Sequence, residues 1–330
     1  MAQQTNEIAS AVTQHIIPEF HDALTKANRI WNFLTKEGRY SVSGGTNIQF
    51  PIKLIANASS GFIAGSGATV SVNPSIQMQY GTLNWKYYYY TVNFSLEDFV
   101  QTQNSEEAVL DFIESKMDGA LADAVREQTS ALHGTSTNYE YNGLQDVVAA
   151  SGTAYAGLTD TDYSPSDAYL PYIDTNTTVN YSVINKMIQT LKARMQQTPM
   201  AGKQVKELIG LWNENVQEAF LNSAQNQQRF YESKKLDTGF EGIAVNGVNF
   251  YMDAYTPGSK DGSTADNYTY VMPIAVLKMA AKYGLGGKGS PLDGQVQIPN
   301  QPIKSNQYYI AGNLICVDRR LISVNKTLVA

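Results

Sequence analysis

Asn104-SEEAVLDFIESKMDGALADAVREQTSALH-Gly134 carries Leu110, Ile113, Met117, Leu121, Ala124, Gln128 and Leu132 at steps of three and four. That is the period of one helix face, apolar except at Gln128. The spacing predicts about eight turns, roughly 45 Å at 1.5 Å per residue. Asn104 with Glu107 three places on has the form of a capping box, and Gly134 stands where a left-handed terminator would close the helix. A helix this long exceeds what a small core needs and implies the girder of a broad, flat body or of a bundle.

The rest of the chain is organised on either side of this segment. Upstream, residues 5–36 read as two helical pieces broken at Pro18, with Ile8, Val12 and Ile16 on one stripe and Phe20, Leu24, Ala27, Trp31 and Leu34 on the next. They fit either a core helix pair or an arm that packs on another subunit. From Arg39 to Phe94 the period changes to two: Ile48, Phe50, Ile52 and Leu54 alternate, as do Leu83, Trp85, Tyr87 and Tyr89. This predicts two long strands. Between them a Gly/Ser-rich stretch carries Phe62 and Ile63, and a structureless loop of this length is usually functional or disordered. The tetrad Tyr87 to Tyr90 puts rings on both faces of its strand, which an isolated hairpin could not cover.

Downstream, Tyr141-Asn-Gly-Leu144 opens a region rich in Asp, Thr and Ser. A helix is predicted over Val183 to Met195, a short strand over Lys206 to Trp212, and then a helix capped by Asn213 that bears Val216, Phe220 and Leu221. Asn246-Gly247 between alternating apolar runs predicts a type I′ hairpin with Val245 facing Val248 and Ile243 facing Phe250. Tyr268 to Met272, Gln307 to Ile310 and Asn313 to about Val324 read as strands. Helix, strand, helix in this order predicts a compact mixed α/β domain, within a chain whose fold class is α+β.

Composition narrows the function classes. Charged residues make up 16% of 330, well below the usual share of about 25%, while aromatic residues reach 11% with 21 tyrosines. So little charge favours a surface covered by other copies. The net charge of −6 resides entirely in residues 104–140, which hold eight acidic side chains against Lys116 and Arg126. No basic nucleic-acid footprint exists. One cysteine, Cys316, excludes an intrachain disulfide framework and reads as a buried small hydrophobe. The start MAQQTNEIAS lacks a signal-peptide pattern, which points to synthesis in a cytoplasm, and the six Asn-X-Ser/Thr sequons then read as chance. No apolar run approaches the roughly 20 residues that span a bilayer, so a soluble chain is expected.

Catalytic constellations are weak, and no cofactor or metal site is expected. His15, His21 and His133 lack metal-ligand spacing, and no Gly-x-Ser-x-Gly elbow activates a serine. Gly284-LGGKGS fails the Walker spacing because Lys282 stands where a glycine is required. Asp160 and Asp162 lack the glycine and terminal glutamate of a calcium loop.

Three local stretches, taken in order with the elements above, carry a resemblance: Ala131-Leu-His-Gly134 followed by Asn142-Gly-Leu144, Phe240-EGIAVNGVNFYM-Asp253, and Gly312-NLICVDR-Arg320. Over essentially the whole chain this order resembles the major capsid proteins of tailed phages, with their Hong Kong 97-like fold. The resemblance implies an arm over 1–38 and an extended loop over 39–94. It further implies a peripheral domain over 95–140 and about 271–312 with residues 104–134 as spine helix, and an axial domain over 141–270 and about 313–330. It implies pentamers and hexamers of an icosahedral head, in a virion assembled in the host cytoplasm and enclosing double-stranded DNA. Portal, scaffolding and possible decoration proteins are the implied partners. The scaffold segment fused to some members is missing, so a separate scaffold or a matured chain is expected. No motif supports transfer of the Lys–Asn crosslink of some members to Lys53 or Lys86. Phe62, Ile63, Trp31, Tyr88 and Tyr90 are the candidate inter-subunit contacts. Glu107, Asp111, Glu114 and Asp118, at steps of four, three and four, form a candidate acidic stripe toward the shell interior, where like charge would keep DNA from sticking. An encapsulin-type shell shares the fold and stays open as an alternative. A carbohydrate-binding or hydrolytic domain using the aromatic residues is a third reading, weakened because the carboxylates cluster on a helix.

Overall fold

Asn246 and Gly247 have φ of 49° and 81°, the left-handed pair that a type I′ turn demands, and Val245 pairs with Val248 as Ile243 does with Phe250. The predicted hairpin therefore sits in its predicted register. The computed structural model describes residues 29–37, 39–40, 45–53, 62, 78–95, 106–136, 139–149, 153–159, 171–174, 179–197, 208–225, 233–235, 241–258, 267–283, 296–297 and 303–327. In chain order its helices are α1 (Arg29–Glu37), α2 (Glu106–His133), α3 (Leu144–Val147), α4 (Tyr181–Gln197) and α5 (Glu214–Gln225). The strands are β1 (Arg39–Tyr40), β2 (Asn47–Lys53), β3 (Met78–Asn84), β4 (Lys86–Ser95), β5 (Tyr172–Asp174), β6 (Leu208–Trp212) and β7 (Ser233–Lys235). They continue as β8 (Glu241–Val245), β9 (Val248–Met252), β10 (Asn267–Pro273), β11 (Leu277–Tyr283), β12 (Val296–Gln297), β13 (Ile303–Cys316) and β14 (Ser323–Thr327).

Two compact units share these elements. The first comprises residues 1–44, 85–144 and 278–315, and the second residues 45–84, 145–277 and 316–330. In the first unit α2 runs 28 residues, about 42 Å at 1.5 Å per residue. Its described buried face is Ala124, Val125, Gln128, Thr129, Leu132 and His133, which contains three of the positions predicted from periodicity. The capping box at Asn104 lies outside the described residues. Gly134 departs from expectation: it has no positive φ, and its N–H still donates to the Ser130 carbonyl at 3.0 Å. The helix is closed instead by the chain that follows it. Gly143 comes so near the Gly134 carbonyl that any Cβ there would collide with it. The unit's sheet runs β1-β11-β13-β12, with β4 also antiparallel to β13 from Lys86↔Gly312 to Ser95↔Ile303.

The second unit is built on a seven-stranded sheet ordered β5-β14-β10-β6-β9-β8-β7. Trp212, Phe250 and Val271 on one face meet Ile184, Met187, Ile188 and Leu191 of α4 and Val216 and Phe220 of α5. Trp212 stacks on Phe250 at 4.6 Å between centroids and tilts against Phe220 at 5.3 Å, which adds aromatic attraction to burial. Asn213 caps α5 as predicted, its Oδ1 accepting from the Val216 N–H at 2.9 Å. Leu221 was expected on the apolar face but is exposed, one residue past Phe220 and rotated off the stripe.

Two strand predictions need correction. The strand predicted from Leu83 to Tyr89 is interrupted at Trp85: β3 pairs with β2, whereas β4 pairs with β13 in the other unit. Period two survives a change of partner, so alternation alone could not reveal it. The supposed closing strand from Asn313 also breaks. β13 runs on to Cys316, Asp318 caps a 3-10 turn over Arg319–Leu321 by accepting from the Arg320 N–H, and β14 starts afresh in the second sheet. Cys316 is buried as expected, and burial pushes its thiol up.

Candidate assembly surfaces

β4 presents its tyrosines in two sets. Tyr88 and Tyr90 are half-buried on the side of α2, their centroids 6.5 Å apart, and the Tyr88 hydroxyl donates to Glu127 Oε2 at 3.0 Å. Burial, reinforced by that carboxylate, raises the Tyr88 pKa above its ordinary value. Tyr87 and Tyr89 point the other way and are 68% and 64% exposed. Across the β4–β13 pair, Tyr309 stands opposite Tyr89 with centroids 6.2 Å apart. The contact residues expected at Tyr88 and Tyr90 are thus half-occupied by the chain's own helix. The rings open to a neighbour are Tyr87 and Tyr89. Both parities of the tetrad were aromatic, and the sequence held no signal for which faced α2.

In the second unit β2 and β3 form a two-stranded sheet with unequal faces. Ile48, Phe50, Ile52 and Leu83 are buried, while Tyr80, 63% exposed, lies opposite exposed Pro51 on the other face. Phe62 is fully exposed; Ile63 lies outside the described residues. Trp31 is 1% exposed, packed within its own chain beside buried Ile30 and Leu34, and has no ring surface to offer a second copy. That corrects its reading as a contact residue. Of the acidic stripe, Asp118 is exposed on α2, and the side chains of Glu107, Asp111 and Glu114 lie outside the described residues.

The stretches that carried the resemblance hold each unit's own joints. Asn142 and Asn313 bond reciprocally: the Asn142 N–H donates to Asn313 Oδ1 at 2.9 Å, and Asn313 Nδ2 donates to Asn142 Oδ1 at 2.8 Å. In the second unit buried Arg319 donates from Nε to the Val147 carbonyl at 2.7 Å and from Nη2 to the Ala149 carbonyl at 2.9 Å, with the Tyr155 ring 5.5 Å from its guanidinium. Arg320 forks onto Asp318 through Nε and Nη2 at 2.9 and 2.8 Å. Lys192 Nζ donates to the Asn246 carbonyl at 3.2 Å, and Asn246 Nδ2 to Asn185 Oδ1 at 2.8 Å, so the hairpin turn is tied to α4. Sequence reasoning missed these pairs; only the Asp318-x-Arg320 spacing hinted at one. Among the described residues no group of three or more His, Cys, Asp or Glu could hold a metal ion. His133 is buried on α2, and His15 and His21 lie outside the described residues.

No protein-family model and no curated protein matches the chain. Solved structures do. The cyanophage A-1(L) capsid is similar over 92% of this chain and 93% of its own, with TM-score 0.60 at 16% identity. The capsid of the native GTA particle follows over 92% and 90% with TM-score 0.58 at 12% identity. The chain has the Hong Kong 97-like fold. That fold is shared with the holo-SrpI encapsulin of Synechococcus elongatus PCC 7942, similar over 91% and 88% with TM-score 0.56 at 10% identity. At such identities the fold transfers and individual residue roles do not, so any role in assembly has to rest on the geometry above.

Proposed function

We propose that the chain is a major capsid protein, the repeating subunit of an icosahedral phage head that encloses double-stranded DNA. The observation that carries this reading is likeness over nine-tenths of both chains to the cyanophage A-1(L) capsid. In this reading α2 is the spine helix of a peripheral domain, the seven-stranded sheet with α4 and α5 is the axial domain, and β2–β3 begins the extended loop. Subunits join as pentamers and hexamers through modest surfaces: Tyr87, Tyr89 and Tyr309 on one unit, and Phe62, Pro51 and Tyr80 on the other. Each is small, and closure of a symmetric shell supplies the stability that no single one has. The stripe containing Asp118 faces inward, where repulsion keeps packaged DNA from adhering. Portal, scaffolding and decoration proteins complete the head in the host cytoplasm.

The likeness to the SrpI encapsulin favours one second reading, a shell around protein cargo. Negative-stain microscopy of the expressed protein tests both. Closed particles are expected, and their contents decide between nuclease-protected DNA and a cargo enzyme. A monodisperse monomer under every assembly condition, with affinity for sugars, would overturn both in favour of a carbohydrate-binding domain.

A further inference from the structure

We propose that the face of the seven-stranded sheet beneath α4 and α5 holds a cluster of ordered waters seated on Trp212, Thr269, Ser323 and Asn325. Strand register brings these residues together. Thr269 of β10 stands opposite Trp212 of β6 on one side and Asn325 of β14 on the other, and Asn325 is in turn paired with Asp174 of β5. Ser323 lies two residues before Asn325, opposite Val271. Alternation along each strand places all of them on the face that carries Trp212 and Val271 into the core under the two helices.

Burial there is complete: Trp212 and Ser323 are 0% exposed, Thr269 and Asn325 1%. Yet among the described residues Trp212 Nε1, Thr269 Oγ1, Ser323 Oγ and both amide atoms of Asn325 have no hydrogen-bond partner, and neither has Gln217 Oε1 on the overlying α5. Native interiors leave only a few such atoms unsatisfied per hundred residues, and here several fall on one row. The two flanks of the row show what direct satisfaction looks like. Asn267, on the same face two residues before Thr269, accepts from Asn213 Nδ2 at 2.6 Å and Asn215 Nδ2 at 3.3 Å. Asp174 accepts from the Tyr172 hydroxyl at 3.2 Å and lies 3.8 Å from Lys186 Nζ. Among the described residues the middle of the row lacks such partners.

The chemistry of the unpartnered atoms selects the ligand. The indole N–H and the Asn325 amine donate, Asn325 Oδ1 and Gln217 Oε1 accept, and the two hydroxyls do both. An anion would leave the acceptors unmatched, and a cation would leave the donors so. Water satisfies both kinds. Directly opposed Thr269 and Asn325 have Cβ atoms about 5 Å apart, a gap that a water bridges without distorting the strands.

Two measurements on the full chain test the cluster. A density map fine enough to show solvent is expected to reveal peaks bonded to Asn325, Thr269 and Ser323; direct bonds between those side chains with no solvent density would overturn the proposal. Water-oxygen magnetic relaxation dispersion counts waters that stay for longer than the protein tumbles. Thr269→Val and Asn325→Leu together are expected to lower that count, and Ser323→Ala, which removes only a hydroxyl, provides a mild second variant should the double one not fold. An unchanged count in the folded variants would overturn the proposal.

Discussion

β4 and β10 are both tyrosine-bearing strands, β10 paired with β6 and β14 and β4 paired with β13, and they treat their two faces differently. β10 is covered on both: Tyr270 and Met272 on one side and Thr269 and Val271 on the other are all buried. β4 is covered on one, with Val92 buried on the side of Tyr88 and Tyr90 while Tyr87 and Tyr89 stand largely exposed. β4 carries aromatic residues of either parity and β10 of one, Tyr268 and Tyr270, and the strand with more rings is the one left open, so aromatic content does not decide burial. What differs is whether the chain itself supplies a second layer. A folded chain that leaves large rings on a sheet face has a surface suited to another molecule.

The comparison can be broken at several points, the greatest effect lying in the doubly covered sheet. Trp212→Ala removes the ring that stacks on Phe250 and is expected to destabilise the protein by about 4 kcal/mol in urea unfolding. Asp318→Ala leaves the buried Arg320 guanidinium without its carboxylate and should cost roughly 3 kcal/mol in the same assay. Alkaline pH probes the sheet without mutation. Burial raises the Tyr155 and Tyr270 pKa values above the ordinary 10.0, so in the folded state these hydroxyls stay neutral where the unfolded chain ionises. Their contribution is intact below pH 10 and is lost as pH rises from there toward the folded values, at about 1.4 kcal/mol per pH unit for each group. A stability curve that stays flat above pH 10 would contradict this.

On β4 the effects shrink. Tyr88→Phe breaks the bond to exposed Glu127 and should cost about 0.5 kcal/mol. Tyr87→Ser with Tyr89→Ser should change subunit stability by no more than about 0.5 kcal/mol, while the yield of closed particles falls sharply by electron microscopy. Particles formed at the normal yield would show that this face is not an assembly surface. Phe62→Asp with Ile63→Asp asks the same of the loop.

Much of the fold was legible because local periodicity and turn chemistry agreed with the final packing. The face of α2 at Ala124, Gln128 and Leu132, the Asn213 cap and the Asn246-Gly247 register are each fixed within a few residues of chain. Choices that depend on distant partners were not legible. The switch of sheets at Trp85 leaves the period intact, because a strand keeps it whichever neighbour it has, and the 3-10 turn after Cys316 is capped by Asp318 within a run buried on either side of it. Whether Tyr87 or Tyr88 faces outward depends on where α2 docks. Trp31 was misread for the same reason, since a helical apolar stripe does not say whether its cover comes from the same chain. The buried row from Trp212 to Asn325 is invisible in one dimension, as its members come from three strands far apart in the chain, β6, β10 and β14.

β14 lies between β5 and β10, pairing residues 323–325 with 172–174 and residues 323–327 with 267–271. Among the described residues no other strand joins β5 to β10, so this sheet stays in two parts until residues 323–327 have been translated. During synthesis β10 must wait with one edge unsatisfied. Closing loops of that length is slow, and an open edge in the meantime is a hazard for off-pathway association. Synthesis at high level would meet that hazard at its most acute, and chaperone demand should fall on chains that have made β10 and still lack β14.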